Sequence, residues 1–231
     1  GYEFSYDARG NQTFRKGPLI AGGEQTITYN AFNLPETITT GVGDESFYSR
    51  FEYSAQRARV YTVQDTATTW TMGNLYERII DPGNPDISDE HRYYIYAEGQ
   101  RVAEVSLARR APTDDFSRST RYFHLDHRGS TIAVSDETGA ITDEFDYTSF
   151  GHPLSPLTVS FGFTGHRQEQ ALGLIDAGGR FYDPLLGVFL SPDPFSEFSG
   201  GDRTVAEQLK QLGFEVIKID PSTWAGKVPS D

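Results

Sequence analysis

The stretch Tyr6-Asp7-Ala8-Arg9-Gly10-Asn11 indicates how this chain folds, because related sequences recur along it. Two clear copies begin at Tyr29 and at Tyr53, and weaker copies occupy residues 96–101 and 145–151. In each copy an aromatic residue closes a strand, a short polar stretch with Asp, Asn or Gly reverses the chain, and an alternating strand follows. The repeat therefore predicts a succession of antiparallel β-hairpins.

The segments between these turns are short and rich in aromatic and β-branched residues, as strands are. The predicted strands include residues 26–29, 47–53, 60–63, 92–96, 101–105 and 131–134. Alternation predicts that one side of each strand joins an aromatic layer while the other side faces solvent. No amphipathic helix of ten residues precedes position 202, so we expect residues 1–201 to form one continuous antiparallel sheet that curls to protect its edges.

Two polar, proline-containing segments interrupt this pattern. They are residues 81–90 and 108–115, and we interpret both as solvated surface loops between strands.

Composition excludes several classes of function. The 231 residues carry a net charge of −13 and no Cys, with 13% aromatic residues and a mean hydropathy of −0.50. The charge argues against direct binding of nucleic acid by the body of the chain. The lack of Cys excludes disulfides, thiol nucleophiles and Cys-ligated metals. No apolar run is long enough to span a membrane. Because the first residue is Gly1 and the first residues already resemble a strand, we expect a piece of a longer polypeptide.

The predicted secondary structure changes after Gly200-Gly201. Asp202 is a good N-cap, residues 203–212 are predicted to form a helix that ends at Gly213, and residues 214–219 are predicted to form a strand. Such an α/β opening differs from everything before it.

A family resemblance is carried by the turn repeats, by residues 122–130, by Phe150-Gly151, and above all by one long block. That block is Gly179-Arg180-Phe181-Tyr182-Asp183-Pro184-Leu185-Leu186-Gly187-Val188-Phe189-Leu190-Ser191-Pro192-Asp193-Pro194. Together these stretches resemble the RHS/YD-repeat proteins and their RHS-associated core. The family includes bacterial polymorphic toxins, the C component of insecticidal toxin complexes and, more remotely, the teneurins.

The resemblance implies a mainly β fold in which antiparallel hairpins spiral into part of a hollow shell, a cocoon around a C-terminal toxin. It implies a YD-repeat shell over residues 1–164, a closing RHS-associated core over residues 165–201, and the start of a variable toxin segment over residues 202–231. The implied partners are the toxin cargo, the rest of the shell, a delivery apparatus and an immunity protein. The implied location is outside the producing cell, in secretion or in delivery to a target cell.

The family also implies one chemistry, self-cleavage by an aspartyl-protease-like pair with a supporting arginine. The matching positions are Arg180, Asp193 and, less closely, Asp220, which lies in Asp-Pro-Ser-Thr where the family has Asp-Pro-x-Gly. Two adjacent carboxylates can share one proton, so that one acts as base and the other as acid. The alternative for Asp193 and Arg180 is a structural Asp-Pro turn paired with a buried arginine, and for Asp220 an ordinary turn after a strand.

Metal and cofactor sites receive little support. His124 and His127 flank Asp126, but on a strand or turn these side chains point in different directions. No helical metal-binding frame and no Gly-x-Ser-x-Gly elbow is present, so we predict no metal and no cofactor.

A second hypothesis concerns residues 202–231 alone. Their helix, glycine and strand resemble the opening of restriction-endonuclease-like toxin nucleases, in which Glu207 and Asp231 would be candidate metal ligands. The Glu-x-Lys strand that this chemistry needs is absent, so the chain would hold only the beginning of a nuclease for which the rest is the carrier.

Overall fold

A computed structural model describes residues 1–43 and 46–193 of the chain. The predicted helix over residues 203–212, the predicted strand over residues 214–219, and Asp220, Glu207 and Asp231 lie outside the described residues. Contacts divide the chain into two units, Gly1–Pro192 and Asp193–Asp231, and the first contains every strand given below.

Thirteen strands form one antiparallel sheet in which each strand pairs with its neighbours in chain order. The strands are β1 (Glu3–Tyr6), β2 (Gln12–Lys16), β3 (Glu24–Tyr29), β4 (Pro35–Thr40), β5 (Phe47–Tyr53), β6 (Arg59–Gln64), β7 (Ala67–Met72), β8 (Tyr76–Ile80), β9 (Asp89–Ala97), β10 (Gln100–Arg109), β11 (Ser117–Leu125), β12 (Thr131–Ser135) and β13 (Ile141–Glu144). The predicted succession of antiparallel hairpins is confirmed.

Four further strands form a separate antiparallel sheet, which we call the second sheet. They are β14 (Arg167–Glu169), β15 (Leu174–Asp176), β16 (Phe181–Asp183) and β17 (Val188–Phe189). The expectation of one continuous sheet is thus wrong beyond Glu144. Pro153 and Pro156 interrupt the next residues and cannot donate to a strand ladder, and this stretch instead packs Phe145, Leu157 and Val159 against Val134.

Four turns of the large sheet share one hydrogen-bonding scheme, which explains the repeated sequence at Tyr6 and Tyr29. Asp7 Oδ1 accepts the backbone N–H of Arg9 and of Asn11, both at 2.9 Å. The same pattern recurs with Asn30, Asp126 and Asp136 as acceptors. The residue three positions after each acceptor has a positive φ, as at Gly10, Asn33, Gly129 and Gly139. The repeat is therefore a local turn motif in which a side-chain oxygen holds two amides and the fourth residue is left-handed.

The buried face of the large sheet differs from the predicted aromatic layer. It is apolar around β3 to β5, where Ile27, Ile38 and Phe51 pack against the second sheet, and around Val134 of β12. Elsewhere it carries buried polar and charged side chains, including Glu77 and Glu104. Large aromatic side chains lie exposed on the opposite face, namely Trp70, Tyr93 and Tyr122. The expected alternation exists, but many inward positions are polar, and Glu77 and Glu104 accept hydrogen bonds there.

The two predicted surface loops are shorter than expected. Asp89 and Glu90 begin β9 and are buried, and Arg109 ends β10 and donates to Asp89 Oδ2 at 2.7 Å. Glu90 accepts hydrogen bonds from Arg92 at 2.7 Å and from Ser106 at 2.6 Å. The interpretation of Asp89 and Glu90 as solvated was wrong, because ion pairs and hydrogen bonds compensate their burial. Within the described ranges, no helix has the length and apolar character needed to cross a membrane.

The turn motif makes a prediction at Gly139, whose φ is +86° and around which no atom lies within 4 Å of an added Cβ. Because space is available, Gly139→Ala should destabilise the protein through the backbone alone, by about 1 kcal/mol. Gly139→Asn should cost less, since Asn tolerates the left-handed region. Urea unfolding of the two variants measures the difference, and equal losses would contradict the motif.

Candidate functional site

Charged side chains of the second sheet meet opposite charges on the buried face of the large sheet. Arg167 of β14 pairs with Glu77 of β8. Arg59 of β6 pairs with Glu169 at 2.6 Å and with Asp176 at 3.3 Å. A fourth pair joins Arg15 of β2 to Asp183 of β16. These contacts form an ionic seam, by which we mean the pairs Arg15–Asp183, Arg59–Glu169, Arg59–Asp176 and Arg167–Glu77.

Asp183 has the most demanding position in the seam. Its side chain is 2% exposed and that of Arg15 is 1% exposed. One oxygen, Oδ1, accepts the backbone N–H of Leu185 at 2.8 Å and of Leu186 at 2.9 Å, while Oδ2 accepts Arg15 Nη2. One carboxylate thus holds the turn between β16 and β17 and anchors that hairpin to the large sheet.

Glu169 is buried between cationic neighbours. Its Oε1 accepts Arg59 Nη1 at 2.6 Å and its Oε2 accepts Gln64 Nε2 at 2.9 Å. Burial favours the protonated carboxyl, but the guanidinium groups of Arg59 and Arg167 outweigh it and hold the pKa of Glu169 below its ordinary value. The group is therefore ionised in the folded protein at neutral pH.

The apolar part of the interface lies beside the seam. Leu172, Leu174, Phe181 and Leu190 pack against the apolar patch of β3 to β5, and the rings of Phe51 and Phe181 lie 5.3 Å apart. Backbone carbonyls at the boundary also find donors, since Gln25 Nε2 donates to the carbonyl of Leu172 at 2.8 Å. Burial of large side chains on both sheets supplies the attraction, and the polar contacts fix the relative position.

The two described members of the predicted catalytic set occupy different settings. Arg180 follows the turn between β15 and β16, is half-buried, and places its guanidinium carbon 3.7 Å from the centroid of the Phe189 ring. Asp193 is the last described residue and belongs to the other unit, and Asp220 lies outside the described residues. Their assembly into a catalytic group stays a prediction, as do the domain boundaries after residues 164 and 201.

The histidine segment has structural partners. Asp126 Oδ1 accepts two backbone amides of its turn, and His124 Nε2 lies 3.0 Å from Ser135 Oγ. In the described part of the chain, no group of three or more His, Asp or Glu side chains could hold a metal ion.

Sequence reasoning missed the ionic seam. In the sequence its members resemble ordinary charged residues on strands. Asp183 contributed to the family resemblance of residues 179–194, but its sequence context did not predict an ion pair. A usable signal did exist: in Leu174-Ile175-Asp176 and Phe181-Tyr182-Asp183 an acidic residue shares a very short strand with large apolar ones. Such a strand has little exposed surface on which to place a charge.

Comparison with known proteins agrees with this architecture. The Teneurin YD-shell family model matches residues 113–213. The tRNA nuclease WapA of Bacillus subtilis (strain 168) is 26% identical over 237 residues, covering 94% of this chain and 9% of WapA. Toxin subunit YenC1 of Yersinia entomophaga is 27% identical over 217 residues, covering 86% of this chain and 22% of YenC1.

Among solved structures, the crystal structure of TcdB2-TccC3 matches with a TM-score of 0.66 at 21% identity, covering 87% of this chain and 10% of that one. Hairpins in chain order, their shared turn motif and the second sheet define a β-shell protein of the YD type. These similarities support an RHS/YD-shell protein, as its sequence blocks indicated. It spans only a small part of the length of the relatives it matches.

The seam predicts non-additive energetics at Arg15 and Asp183. Arg15→Met or Asp183→Asn alone should destabilise the protein by about 3–5 kcal/mol, because each leaves a buried group without its partner. The double variant should cost clearly less than the sum, since neither charge is then left unpaired. Urea unfolding measures the cycle, with the exposed pair Arg50 and Glu52 as control, where the coupling should stay below about 1 kcal/mol. Additive losses at Arg15 and Asp183 would contradict the seam.

Glu169 predicts a pH dependence of stability. Its pKa is lower in the folded than in the unfolded state, so its contribution is complete above the ordinary Glu pKa of about 4.3 and is lost as pH falls through the folded value. The stability difference between wild type and Glu169→Gln should therefore shrink as the pH is lowered from about 6 to about 3. The exposed Glu137 provides a matched control, Glu137→Gln. A difference at Glu169 that stays constant with pH would contradict the assignment.

Proposed function

We propose that this chain is the C-terminal portion of an Rhs toxin shell that encapsulates and delivers a C-terminal toxin. Two relatives support the proposal by their names, a toxin subunit and a tRNA nuclease, which suggests that one type of wall serves different cargoes. The partners would be the cargo, the rest of the shell, a delivery apparatus and an immunity protein. The shell would act outside the producing cell, secreted or delivered to a target cell.

The observation that carries the proposal is the paired charge on the buried face of the large sheet. Glu77 accepts the hydroxyl of Tyr94 at 2.9 Å, Glu104 accepts Arg121 at 2.5 Å, and Glu90 accepts Arg92 at 2.7 Å. Burial raises the pKa of Tyr94 to about 12, so this hydroxyl stays a donor. A container should enclose its cargo without presenting an apolar surface to which the cargo would bind. The large sheet, as the wall of the container, meets that need with charges that are paired within the protein.

The edges of the large sheet support a larger wall. β1 and β13 are its edge strands, and each has one side without a neighbour in the sheet. Edge strands pair readily with further strands. Hairpins added at either side would extend the same antiparallel order, as the proposed shell requires.

We further propose that Arg180, Asp193 and Asp220 carry aspartyl-type self-cleavage that releases the toxin. In this chemistry an ionised carboxylate removes a proton from water, the water oxygen attacks the scissile carbonyl, and the protonated carboxyl donates to the leaving amine nitrogen. A nearby guanidinium would favour ionisation of one of the two carboxyls. The Asp-Pro pairs at positions 193 and 220 supply the two candidate carboxylates.

Mass spectrometry of the purified chain tests this release. Wild type should yield two fragments with a break at a position downstream of Gly201, while Asp193→Asn and Asp220→Asn should remain intact, because amides cannot exchange the required proton. Asp115→Asn, at an exposed loop position, is the matched control and should cleave as wild type does. A wild-type chain that stays whole, or an Asp193→Asn chain that cleaves at the normal rate, would rule out this role.

The second candidate function is that residues 202–231 begin a metal-dependent nuclease toxin, with the rest of the chain as carrier. It is favoured by the similarity to WapA, a tRNA nuclease. Glu207 and Asp231 remain the candidate ligands. The similarity runs along 94% of this chain and 9% of WapA, and so supports the shared carrier more directly than a shared nuclease.

A further inference from the structure

A cavity of about 560 Å³ lies within the first unit, between the buried face of the large sheet and residues 161–178. Its charged lining is strongly biased toward cations. Four arginines line it, Arg59, Arg101, Arg128 and Arg167, against two carboxylates, Glu77 and Asp176. This bias opposes the net charge of −13 on the whole chain, so it is a local feature of the cavity.

Two of the four arginines are already neutralised by the ionic seam. Arg59 pairs with Glu169 and Asp176, and Arg167 pairs with Glu77. Both lining carboxylates are therefore engaged. The positive charge that remains in the cavity belongs to Arg101 and Arg128.

Arg101 has no carboxylate partner among the described residues. It donates to the hydroxyl of Tyr96 at 2.8 Å, and its Nε is buried without a hydrogen-bond partner. Burial lowers the pKa of Arg101 from its ordinary value, which shows that the protein compensates this charge incompletely. A buried donor on a cation is costly unless an acceptor reaches it.

Aromatic rings hold Arg101 in place without neutralising it. Its guanidinium carbon lies 3.3 Å from the centroid of the Phe161 ring and 4.9 Å from that of Tyr94. The guanidinium of Arg167 lies 4.5 Å from the same Phe161 ring. Stacking of this kind fixes the plane of a guanidinium in advance of binding and so reduces the entropy lost when an anion arrives.

Arg128 completes the arrangement from the turn between β11 and β12. Its nearest carboxylate, Asp126, lies 3.9 Å away and is engaged by the backbone of its own turn. The Arg128 side chain is 53% exposed, so it borders both solvent and the cavity. A buried cation and an accessible one that line the same space suit the capture of a small anion.

We propose that this cavity is an anion site in which Arg101 and Arg128 bind a small oxyanion, a phosphate or carboxylate group. The planar fork of a guanidinium matches two oxygens of such a group, and the volume lies in the range of small-molecule sites. The site does not depend on the toxin-shell function, since it would exist in any protein with this wall.

Isothermal titration calorimetry of the full chain tests the proposal, with inorganic phosphate and acetate as probes and sodium chloride at matched ionic strength as reference. One of the two oxyanions should bind saturably at one site per chain, with chloride giving no such isotherm. The oxyanion that binds more tightly identifies the group recognised. Indistinguishable heats for all three salts would overturn the proposal.

Variants assign the site to the named residues. Arg101→Gln should weaken binding by about tenfold or more, because a charge-assisted contact is lost. Arg50→Gln, at an exposed arginine outside the cavity, should bind as wild type does. Undiminished affinity in Arg101→Gln, or an equal loss in Arg50→Gln, would overturn the assignment.

Folding of the variants is checked by circular dichroism. If Arg101→Gln is destabilised, Arg128→Gln decides, since this half-exposed side chain can be replaced with little effect on stability. It should fold normally and bind several-fold more weakly. Wild-type affinity in a folded Arg128→Gln would then refute the two-arginine site.

Discussion

The buried ion pair between Arg15 and Asp183 is the contact on which the arrangement of the two sheets depends. Asp183 holds its own turn through Oδ1 and reaches β2 through Oδ2. If the hairpin of β16 and β17 shifted along the large sheet, both an arginine and a carboxylate would be left buried without a partner. Such a loss exceeds what a few apolar contacts could restore. The pair therefore fixes the position of this hairpin on the large sheet more than it adds net stability.

The composition of the buried face follows the way it is covered. Where the second sheet packs directly on β3 to β5, the wall is apolar, with Ile27, Ile38 and Phe51 against Phe181. Where the cavity adjoins it, near β8 to β10, the wall presents Glu77 and Arg101. Water or an anion can compensate a polar side chain beside a cavity, whereas an apolar side chain there would gain little from burial.

Local features of this fold were predictable, and long-range ones were not. The turn at Asp7 is encoded within five residues, since the acceptor, the two amides and the left-handed Gly10 all belong to it. The predicted strand over residues 47–53 has the bounds of β5, Phe47–Tyr53, because the alternation that predicts it also lies within a few consecutive residues. The ion pair of Arg15 with Asp183 joins residues 168 positions apart. The local sequence around either residue does not indicate which residue is its partner. The prediction that Asp89 and Glu90 are solvated fails for a related reason. Polar residues in a sequence indicate exposure, unless the structure supplies ionic partners that allow their burial.

A catalytic aspartyl pair and the ionic seam need carboxylates in different environments. Asp183, Glu169 and Glu77 are each paired with an arginine, so their oxygens are engaged in contacts that join the two sheets. An aspartyl pair needs one member able to hold a proton at working pH, which in such pairs comes from the repulsion of a neighbouring carboxylate. The seam carboxylates are therefore structural, and the proposed self-cleavage would need acidic residues outside the seam. Asp193 and Asp220, each followed by proline, remain the candidates by their sequence.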